Sequence, residues 1–498
     1  MSAPILLAID QGTTSSRAIA FSPTGTVEAI AHQEFPQHFP QDGWVEHDPE
    51  DIWQTTLAVC RKVIEEVRSQ GKRVAAIGLT NQRETTFVWS RASGACLYNA
   101  IVWQDRRTAE VCTRLRQQGA EHEVTTKTGL LLDPYFSGTK LAWILQHVDG
   151  ARAAAEAGEL AFGTVDTFLL WRLTGGRAHA TDATNASRTL MLNIHTGDWD
   201  PQLLDLLDIP RGVLPEVGDS MQEFGVTAAG IFDEPIPILS IVGDQQAALV
   251  GQACLEPGMI KSTYGTGCFM MLNVGAQPVT SQHRLLSTIG YRLNQQMTYA
   301  LEGSIFNAGA AVQWLRDKLQ VIESAAETEA MAASLPDNRG VYLVPAFTGL
   351  GAPFWDTEAR GGLFGLTRDS GRPELVRATL ESIAYQSQDL LNAIRGDGAQ
   401  PDSFRIDGGM AANNWFAQFL ADVTGVEVHR SAVTEATAWG AAALAGVGCG
   451  LLASTDEISK LWQCDRTFEP QIDDAERSRL LAGWRQAVDR VRVSSDAG

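Results

Sequence analysis

The segment Asp10-Gln11-Gly12-Thr13-Thr14 lies between two strand-like runs, residues 5–9 and residues 16–21, and it gives the strongest indication of the fold. Two similar turns follow later, Gly265-Thr266-Gly267 and Asp407-Gly408-Gly409, and each comes directly after an apolar run. Each turn offers backbone N–H groups and small side chains where a strand ends. Such groups are suited to holding phosphate oxygens.

One turn of this kind would be unremarkable, because Gly and Thr occur in ordinary turns. Three of them in this order predict one ATP molecule held between two domains. The strand, turn and returning strand of the opening recur at residues 259–273. We therefore predict a duplicated α/β fold with domains at residues 1–253 and 254–498, and a hinge between them at Glu256-Pro257-Gly258.

Length and composition agree with this organisation. A chain of 498 residues is too long for one compact core. Its net charge of −20 argues against broad contact with nucleic acid or an anionic membrane. The seven cysteines form no CxxC pair, which is typical of free thiols in a reducing compartment. Residues 436–454 are uncharged but rich in Ala and Gly, so we expect a buried helix and a soluble, cytoplasmic protein.

Several nucleotide folds are excluded by missing motifs. The chain has no GxxxxGK[ST] phosphate loop, no GxGxxG after a strand and no protein-kinase catalytic loop. The remaining pattern is a strand, Asp-x-Gly-Thr-Thr and a returning strand, with a second hairpin opposite. This pattern resembles the actin-like ATPase superfamily, which includes hexokinase, the 70-kDa heat-shock chaperones and sugar kinases.

Longer motifs make the resemblance more specific. Residues 135–147 and 361–381 are similar to the two signatures of the FGGY family of carbohydrate kinases. Within that family, residues 78–85, 103–108 and 243–248 resemble the members that phosphorylate glycerol and differ from the pentulose kinases. The match runs over nearly the whole chain, and its parts occur in the family's order.

The resemblance implies a fold of two actin-like (ribonuclease H-like) domains with an interdomain active-site cleft. It also implies transfer of the γ-phosphoryl group of ATP to glycerol, giving sn-glycerol 3-phosphate with Mg²⁺ as cofactor. Phosphoryl transfer needs alignment, charge stabilisation and uptake of one proton. Asp244 is the expected general base, and an ordinary low pKa would suffice for a proton that leaves late. Local sequence alone supports a helix-capping role for Asp244 equally well.

Recognition of a small polyol must rely on hydrogen bonds. The residues that the resemblance implies around glycerol are Arg83, Glu84, Tyr135, Asp244 and Gln245 on the hydroxyls, with Trp103 and Phe269 as the apolar wall. Arg83 and Glu84 offer a donor fork beside an acceptor, which suits neighbouring hydroxyls. Without the surrounding motif, this pair would be interpreted as an ordinary exposed ion pair.

The nucleotide and its metal ion are assigned to the three turns. Asp10 is the expected Mg²⁺ partner, directly or through water, and Asp244 a second one through water. The residues expected to contact the nucleotide are Thr13, Thr14, Ser15 and Arg17 from the first turn, Thr266 from the second, and Gly309, Gln313, Gly409, Met410 and Asn414 by resemblance.

Two stretches depart from relatives. Some bacterial relatives bind fructose 1,6-bisphosphate at a Gly-Gly-Lys-Gly-Gly-Thr-Arg loop, whereas residues 229–235 here lack Lys and Arg and contain two acids. We therefore expect no inhibition by this anion through the loop. Residues 470–477 partly resemble a docking site for a phosphotransferase-system regulator, but an amphipathic surface helix explains them as well.

Alternatives remain open at the level of sequence. A kinase for another polyol or ketose would share most of these motifs. An actin-like ATPase without a polyol acceptor, such as a chaperone or filament subunit, would share the turns but would not need the pair Arg83 and Glu84. The resemblance also implies a homo-oligomer, either a dimer or a tetramer.

Overall fold

The computed structural model describes residues 3–356 and 358–492. The strands are β1 (Ala3–Gln11), β2 (Ser15–Phe21), β3 (Val27–Glu34), β4 (Glu46–His47), β5 (Lys72–Asn81), β6 (Phe87–Ser90), β7 (Ala100–Ile101), β8 (Leu160–Gly163), β9 (Ala180–Asp182), β10 (Leu192–Asn193), β11 (Asp198–Trp199), β12 (Glu216–Gly218), β13 (Met221–Val226), β14 (Pro237–Gly243), β15 (Met259–Tyr264), β16 (Cys268–Gly275), β17 (Leu286–Leu293), β18 (Gln296–Ile305), β19 (Tyr342–Val344), β20 (Gly362–Phe364), β21 (Ser403–Asp407), β22 (Val428–Ser431) and β23 (Cys464–Phe468).

The helices connect these strands and cover the sheets. They are α1 (Pro49–Ser69), α2 (Ala109–Gln117), α3 (Glu121–Thr128), α4 (Ser137–His147), α5 (Ala151–Glu156), α6 (Val165–Leu173), α7 (Ala183–Ala186), α8 (Pro201–Leu207), α9 (Asp244–Gly251), α10 (Gly309–Asp317), α11 (Glu327–Ala333), α12 (Arg372–Gly396), α13 (Asn414–Thr424), α14 (Ala436–Gly448), α15 (Thr455–Leu461) and α16 (Asp474–Val491). Two short 3₁₀ turns lie at Arg211–Val213 and Gly409–Ala412.

The predicted duplication is confirmed by the two large sheets. The first has the order β13-β14-β5-β1-β2-β3, and the second has the order β17-β18-β16-β15-β21-β22-β23. In each, an antiparallel three-stranded unit continues into two parallel strands and one antiparallel edge strand. The second sheet adds β17 outside this shared pattern. The chain therefore builds the same layered unit twice.

The start of α1 and the position of α14 agree with the predictions from the local sequence. Helix α1 begins after Asp48, whose side chain accepts a hydrogen bond from the backbone N–H of Glu50 at 2.8 Å, with Pro49 at the first helical position. The uncharged run forms the buried helix α14 and a turn at Gly450, as predicted. Among the described residues, no helix is long and apolar enough to cross a membrane.

Helix α14 connects the two halves of the protein, which are the parts built around the first and the second large sheet. In the chain it lies between β22 and β23 of the second sheet, but it packs on β1, β5 and β14 of the first sheet and crosses α9. A Cβ atom on Gly440 would lie 1.9 Å from the carbonyl oxygen of Ala247, so only glycine permits this crossing. The halves share a hydrophobic cluster that includes Leu6, Met271 and Ala441. The boundary between residues 253 and 254 stays a prediction.

Candidate active site

Predicted site residues of the first half lie at one edge of its sheet. The parallel strands β14, β5 and β1 end in register, with Gly243 beside Asn81 and Asn81 beside Gln11. The segments that follow these three strands therefore emerge together. In open α/β sheets, this edge is where ligands bind. It presents Asp244 and the first Gly-Thr-Thr turn to the same space.

The second half places its two turns side by side. Thr263 of β15 pairs with Asp407 of the parallel strand β21, so both turns leave the sheet at one edge. Gly408 has φ +88°, and a Cβ atom there would lie 2.5 Å from the carbonyl oxygen of Tyr264. The backbone N–H of Gly309 donates to the carbonyl oxygen of Gly265 at 2.9 Å. The start of α10 thus closes against the second turn.

Arg83 and Glu84 are buried, at 2% and 1% exposure, so the interpretation as an exposed ion pair is wrong. The Nε atom of Arg83 lies 3.3 Å from Oδ1 of Asp244. Its guanidinium also donates to Oε1 of Gln246 at 3.2 Å and to the hydroxyl of Tyr135 at 3.4 Å. The structure therefore brings Arg83, Glu84, Tyr135 and Asp244 into one cluster.

The two aromatic residues predicted to line the glycerol site lie near each other and come from both halves. The ring of Trp103 packs edge-on against Tyr135 at 5.6 Å and against Phe269 at 6.5 Å between centroids. Phe269 lies on β16 of the second half, and the guanidinium of Arg83 lies 5.9 Å from its ring centre. Side chains from the two halves thus border the same polar cluster.

Asp244 is the first residue of α9 and directly follows β14. Its Oδ1 accepts a hydrogen bond from the backbone N–H of Gln245 at 2.7 Å. No hydrogen bond among the described residues uses its Oδ2. Burial raises the pKa of Asp244 to about 6, although Arg83 and Lys261 oppose the shift and Glu84 supports it. The site thus gives Asp244 a pKa above the ordinary value that would have sufficed for the proposed role, because partial burial removes water from around the carboxylate.

Three buried charged residues in this cluster were not predicted from the sequence. Arg188 donates to Oε1 of Glu84 at 2.7 Å and to Oε1 of Glu302 at 2.8 Å. Lys261 is fully buried and donates to Gln245 and to Thr263. Lys261 and Glu302 each stand alone as a charge within an apolar strand, β15 and β18. That pattern was a usable signal, since a lone buried charge needs a partner.

Opposite charges fix the ionisation of Glu302. Burial alone would raise its pKa, but Arg188 and Arg83 outweigh burial and hold it at about 2. Glu302 is therefore ionised throughout the neutral range.

The first turn is held by ion pairs. The Nε of Arg17 donates to Oδ2 of Asp10 at 3.1 Å, and its Nη1 donates to Glu435 at 2.7 Å. Attraction to Asp10 outweighs burial and raises the pKa of Arg17. The indole N–H of Trp103 donates to the hydroxyl of Thr13 at 2.9 Å. Arg17 thus lies at the turn, but the structure pairs it with carboxylates.

The other predicted nucleotide residues divide into open and occupied positions. Thr14, Thr266, Gln313 and Gly409 are exposed, and Ser15, Gly309 and Met410 are half-buried. A Cβ atom on Gly409 would meet nothing within 4 Å, so space is open above the third turn. Asn414 differs: its side chain donates to Glu329 at 3.1 Å and accepts from Arg430 at 3.1 Å.

The residues present fit a Mg²⁺–nucleotide complex only if phosphate oxygens complete the coordination. Among the described residues, no group of three or more His, Cys, Asp or Glu side chains could hold a metal ion. Asp10 and Asp244 offer single carboxylates at the same sheet edge. Mg²⁺ commonly binds one or two carboxylates together with phosphates and water.

Comparison with known proteins identifies the family of the chain. Models of the N-terminal and C-terminal domains of the FGGY family of carbohydrate kinases match residues 5–251 and 260–449. The chain is 61% identical to a glycerol kinase of Rhodospirillum centenum, over 98% of both chains. It is 60% identical to glycerol kinase 1 of Pseudomonas aeruginosa, over 98% of this chain and 99% of that one.

A solved structure agrees over the full length. The crystal structure of Plasmodium falciparum glycerol kinase with ADP is 35% identical and has a TM-score of 0.94, covering 99% of both chains. The duplicated sheets, the shared edge and the sequence matches lead to one conclusion. The chain belongs to the FGGY family of carbohydrate kinases.

Proposed function

We propose that this protein is a glycerol kinase, which transfers the γ-phosphoryl group of ATP to glycerol and releases ADP and sn-glycerol 3-phosphate. The observation that carries the proposal is one cluster beside the aromatic wall, in which Arg83 and Glu84 are buried and Tyr135 and Asp244 are half-buried. The cluster lies where β5 and β14 of the first sheet end, beside Phe269 of the second sheet. Relatives that match nearly the whole chain at about 60% identity carry the name glycerol kinase.

Recognition of glycerol follows from atoms that the protein leaves available. Oε1 of Glu84 is occupied by Arg188, whereas no hydrogen bond among the described residues uses its Oε2. Asp244 likewise has one engaged and one available oxygen. Two available carboxylate oxygens and the donors of Arg83 suit a chain of neighbouring hydroxyls. A ligand lacking one hydroxyl would leave a buried polar group unpaired, which is the basis of strong selectivity.

Asp244 is the proposed general base. One terminal hydroxyl oxygen of glycerol bonds to the γ-phosphorus while the bond to the bridging oxygen of ADP breaks. The hydroxyl proton passes to Oδ2 of Asp244 and later to solvent. A pKa of about 6 leaves the carboxylate mostly ionised at neutral pH and makes it a better acceptor than an ordinary aspartate.

The nucleotide is proposed to lie across the three turns. Backbone N–H groups of residues 12–14 and 265–267 would hold phosphate oxygens, and the open space above Gly409 would admit the rest of the nucleotide. Mg²⁺, when bound beside Asp10, supplies neutralisation of phosphate charge. The domain division after residue 253 and a cytoplasmic location complete the proposal.

The experiment is a coupled assay of ADP release with and without glycerol, run beside dihydroxyacetone, erythritol and xylulose. We expect release to depend on glycerol and kcat/KM to be highest for it. Highest kcat/KM for another acceptor would identify a different polyol or ketose kinase. Acceptor-independent release would identify an ATPase, for which the buried cluster would have no purpose.

A further inference from the structure

Glu302 is a charged residue of the second half that lies behind the proposed glycerol site of the first. It stands in the middle of β18, opposite Met271 of β16 and Leu286 of β17. Its side chain is fully buried at 0% exposure. A carboxylate in this position is costly unless cations face it.

Both oxygens of Glu302 are used by arginines of the first half. Oε1 accepts from Nη2 of Arg188 at 2.8 Å and from Nη2 of Arg83 at 3.2 Å. Oε2 accepts from Nη1 of Arg83. Glu302 therefore binds Arg83 in a bidentate contact, which fixes the plane of the guanidinium.

The same carboxylate orients Glu84 through Arg188. With Nη2 on Glu302, Arg188 turns its Nε to Oε1 of Glu84 at 2.7 Å. This contact occupies one oxygen of Glu84 and leaves the other available. Glu302 of the second half thus orients Glu84, the proposed acceptor for a glycerol hydroxyl, through Arg188.

Glu302 is the carboxylate that both arginines share. Arg83 and Arg188 also interact with Glu84, and Arg83 interacts with Asp244. Lys261 interacts most strongly with Asp407 and then with Asp244. Without Glu302, the freed guanidiniums would be drawn to the remaining carboxylates, and attraction is strong at low dielectric. They would occupy the oxygens that the hydroxyls require.

We propose that Glu302 is a positioning residue: it holds Arg83 and Arg188 so that the glycerol-binding groups of the first half face the acceptor. This inference rests on the proposed function. Glycerol affinity would then depend on β18 of the second half. The second half also contains the two turns that are proposed to hold phosphate.

The test compares Glu302→Gln and Glu302→Asp with a matched control, Asp219→Asn. Asp219 forms another buried ion pair between the halves, 2.7 Å from Nε of Arg292, but neither residue contacts the cluster. For each protein, KM for glycerol, KM for ATP, kcat and melting temperature are measured. Wild-type turnover of glycerol is established first, because its absence would reject the proposed function itself.

We expect Glu302→Gln to raise KM for glycerol about tenfold or more, since small misplacements of binding groups are costly. KM for ATP should change less than about twofold, and Glu302→Asp should lie between wild type and Glu302→Gln. Asp219→Asn should leave both KM values near wild type even if its melting temperature falls. A glycerol KM in Glu302→Gln no higher than in Asp219→Asn would overturn the inference. Should Glu302→Gln not fold, Glu302→Asp decides by the same comparison.

Discussion

The Nε atom of Arg83 lies 3.3 Å from Oδ1 of Asp244, although the two residues are 161 positions apart in the chain. Arg83 follows β5 and Asp244 follows β14, and these strands are parallel neighbours. The contact holds one oxygen of the proposed base and leaves Oδ2 to the substrate. The proposed base, Asp244, and the guanidinium that orients it, Arg83, therefore come from the same edge of the first sheet.

Replacing Asp244 by Asn should separate chemistry from nucleotide binding. The amide cannot accept the proton but keeps the size of the side chain, so kcat should fall about 10²- to 10⁴-fold. Affinity for ATP, measured by equilibrium binding without glycerol, should stay within about threefold. Asp200→Asn, at a helix N-terminus away from the cluster, is a suitable control. Near-normal turnover in Asp244→Asn would remove the general-base role.

The pH dependence of turnover should report the raised pKa of Asp244. Its folded-state pKa of about 6 means that the carboxylate becomes protonated as pH falls through 6. Because only the ionised form accepts a proton, kcat/KM for glycerol should fall about tenfold per pH unit below that point. Activity recovered after a return to pH 7.5 excludes unfolding. A limb near pH 4 would contradict the assignment.

Glu84→Gln should weaken glycerol selectively. The amide loses the charge that Arg188 and Arg83 neutralise, and its N–H₂ group replaces one of the two acceptor oxygens. We expect KM for glycerol to rise about tenfold to a hundredfold, since losing a partner of a charged group costs about 1.5–3 kcal/mol. Glu50→Gln, in an exposed ion pair with Arg172, serves as the control. Equal glycerol KM values for the two variants would assign Glu84 to another role.

Fructose 1,6-bisphosphate should not inhibit through residues 229–235. Asp233 pairs with Arg68, and Arg61 donates to the carbonyl oxygen of Ile231, so the nearby cations are already engaged. A doubly phosphorylated anion would meet two carboxylates in this loop. Assays at saturating ATP with up to millimolar bisphosphate should show unchanged rates. Strong inhibition that disappears in a loop variant would refute this prediction.

His47 should make the fold sensitive to mild acid. It is fully buried, no described residue bonds either ring nitrogen, and burial lowers its pKa to about 4. The unfolded chain takes up the proton near pH 6.5, so stability is full above 6.5 and falls between 6.5 and 4. From pH 7 to pH 5 the loss should be about 2 kcal/mol.

Denaturant titrations at the two pH values measure this loss. His47→Phe should reduce the difference by the same amount, because the phenyl ring cannot be protonated and the neighbouring Phe35 already packs edge-on. His122→Gln, at an exposed position, should keep the wild-type difference. An unchanged pH dependence in His47→Phe would show that other groups cause it.

Local patterns in the sequence determined most of the secondary structure and the duplication. The apolar runs before the three turns became β1, β15 and β21, and Asp48 and Pro49 started α1. These features depend on side-chain periodicity, capping and turn chemistry within a few residues. The resemblance then assigned roles to Arg83, Glu84 and Asp244, and the structure gathers all three in one cluster.

Only the tertiary structure decided how those residues are held and charged. Arg188, Lys261 and Glu302 come from three distant segments. A lone charge in a strand indicates that a partner exists, but the local sequence does not indicate which residue it is. Arg188 bonds both Glu84 and Glu302, and Lys261 bonds Gln245. The raised pKa of Asp244 likewise depends on partial burial of its carboxylate, which no short segment specifies. Local sequence sets the backbone and the candidate groups, whereas long-range packing sets distances and dielectric, and electrostatic interactions depend on both.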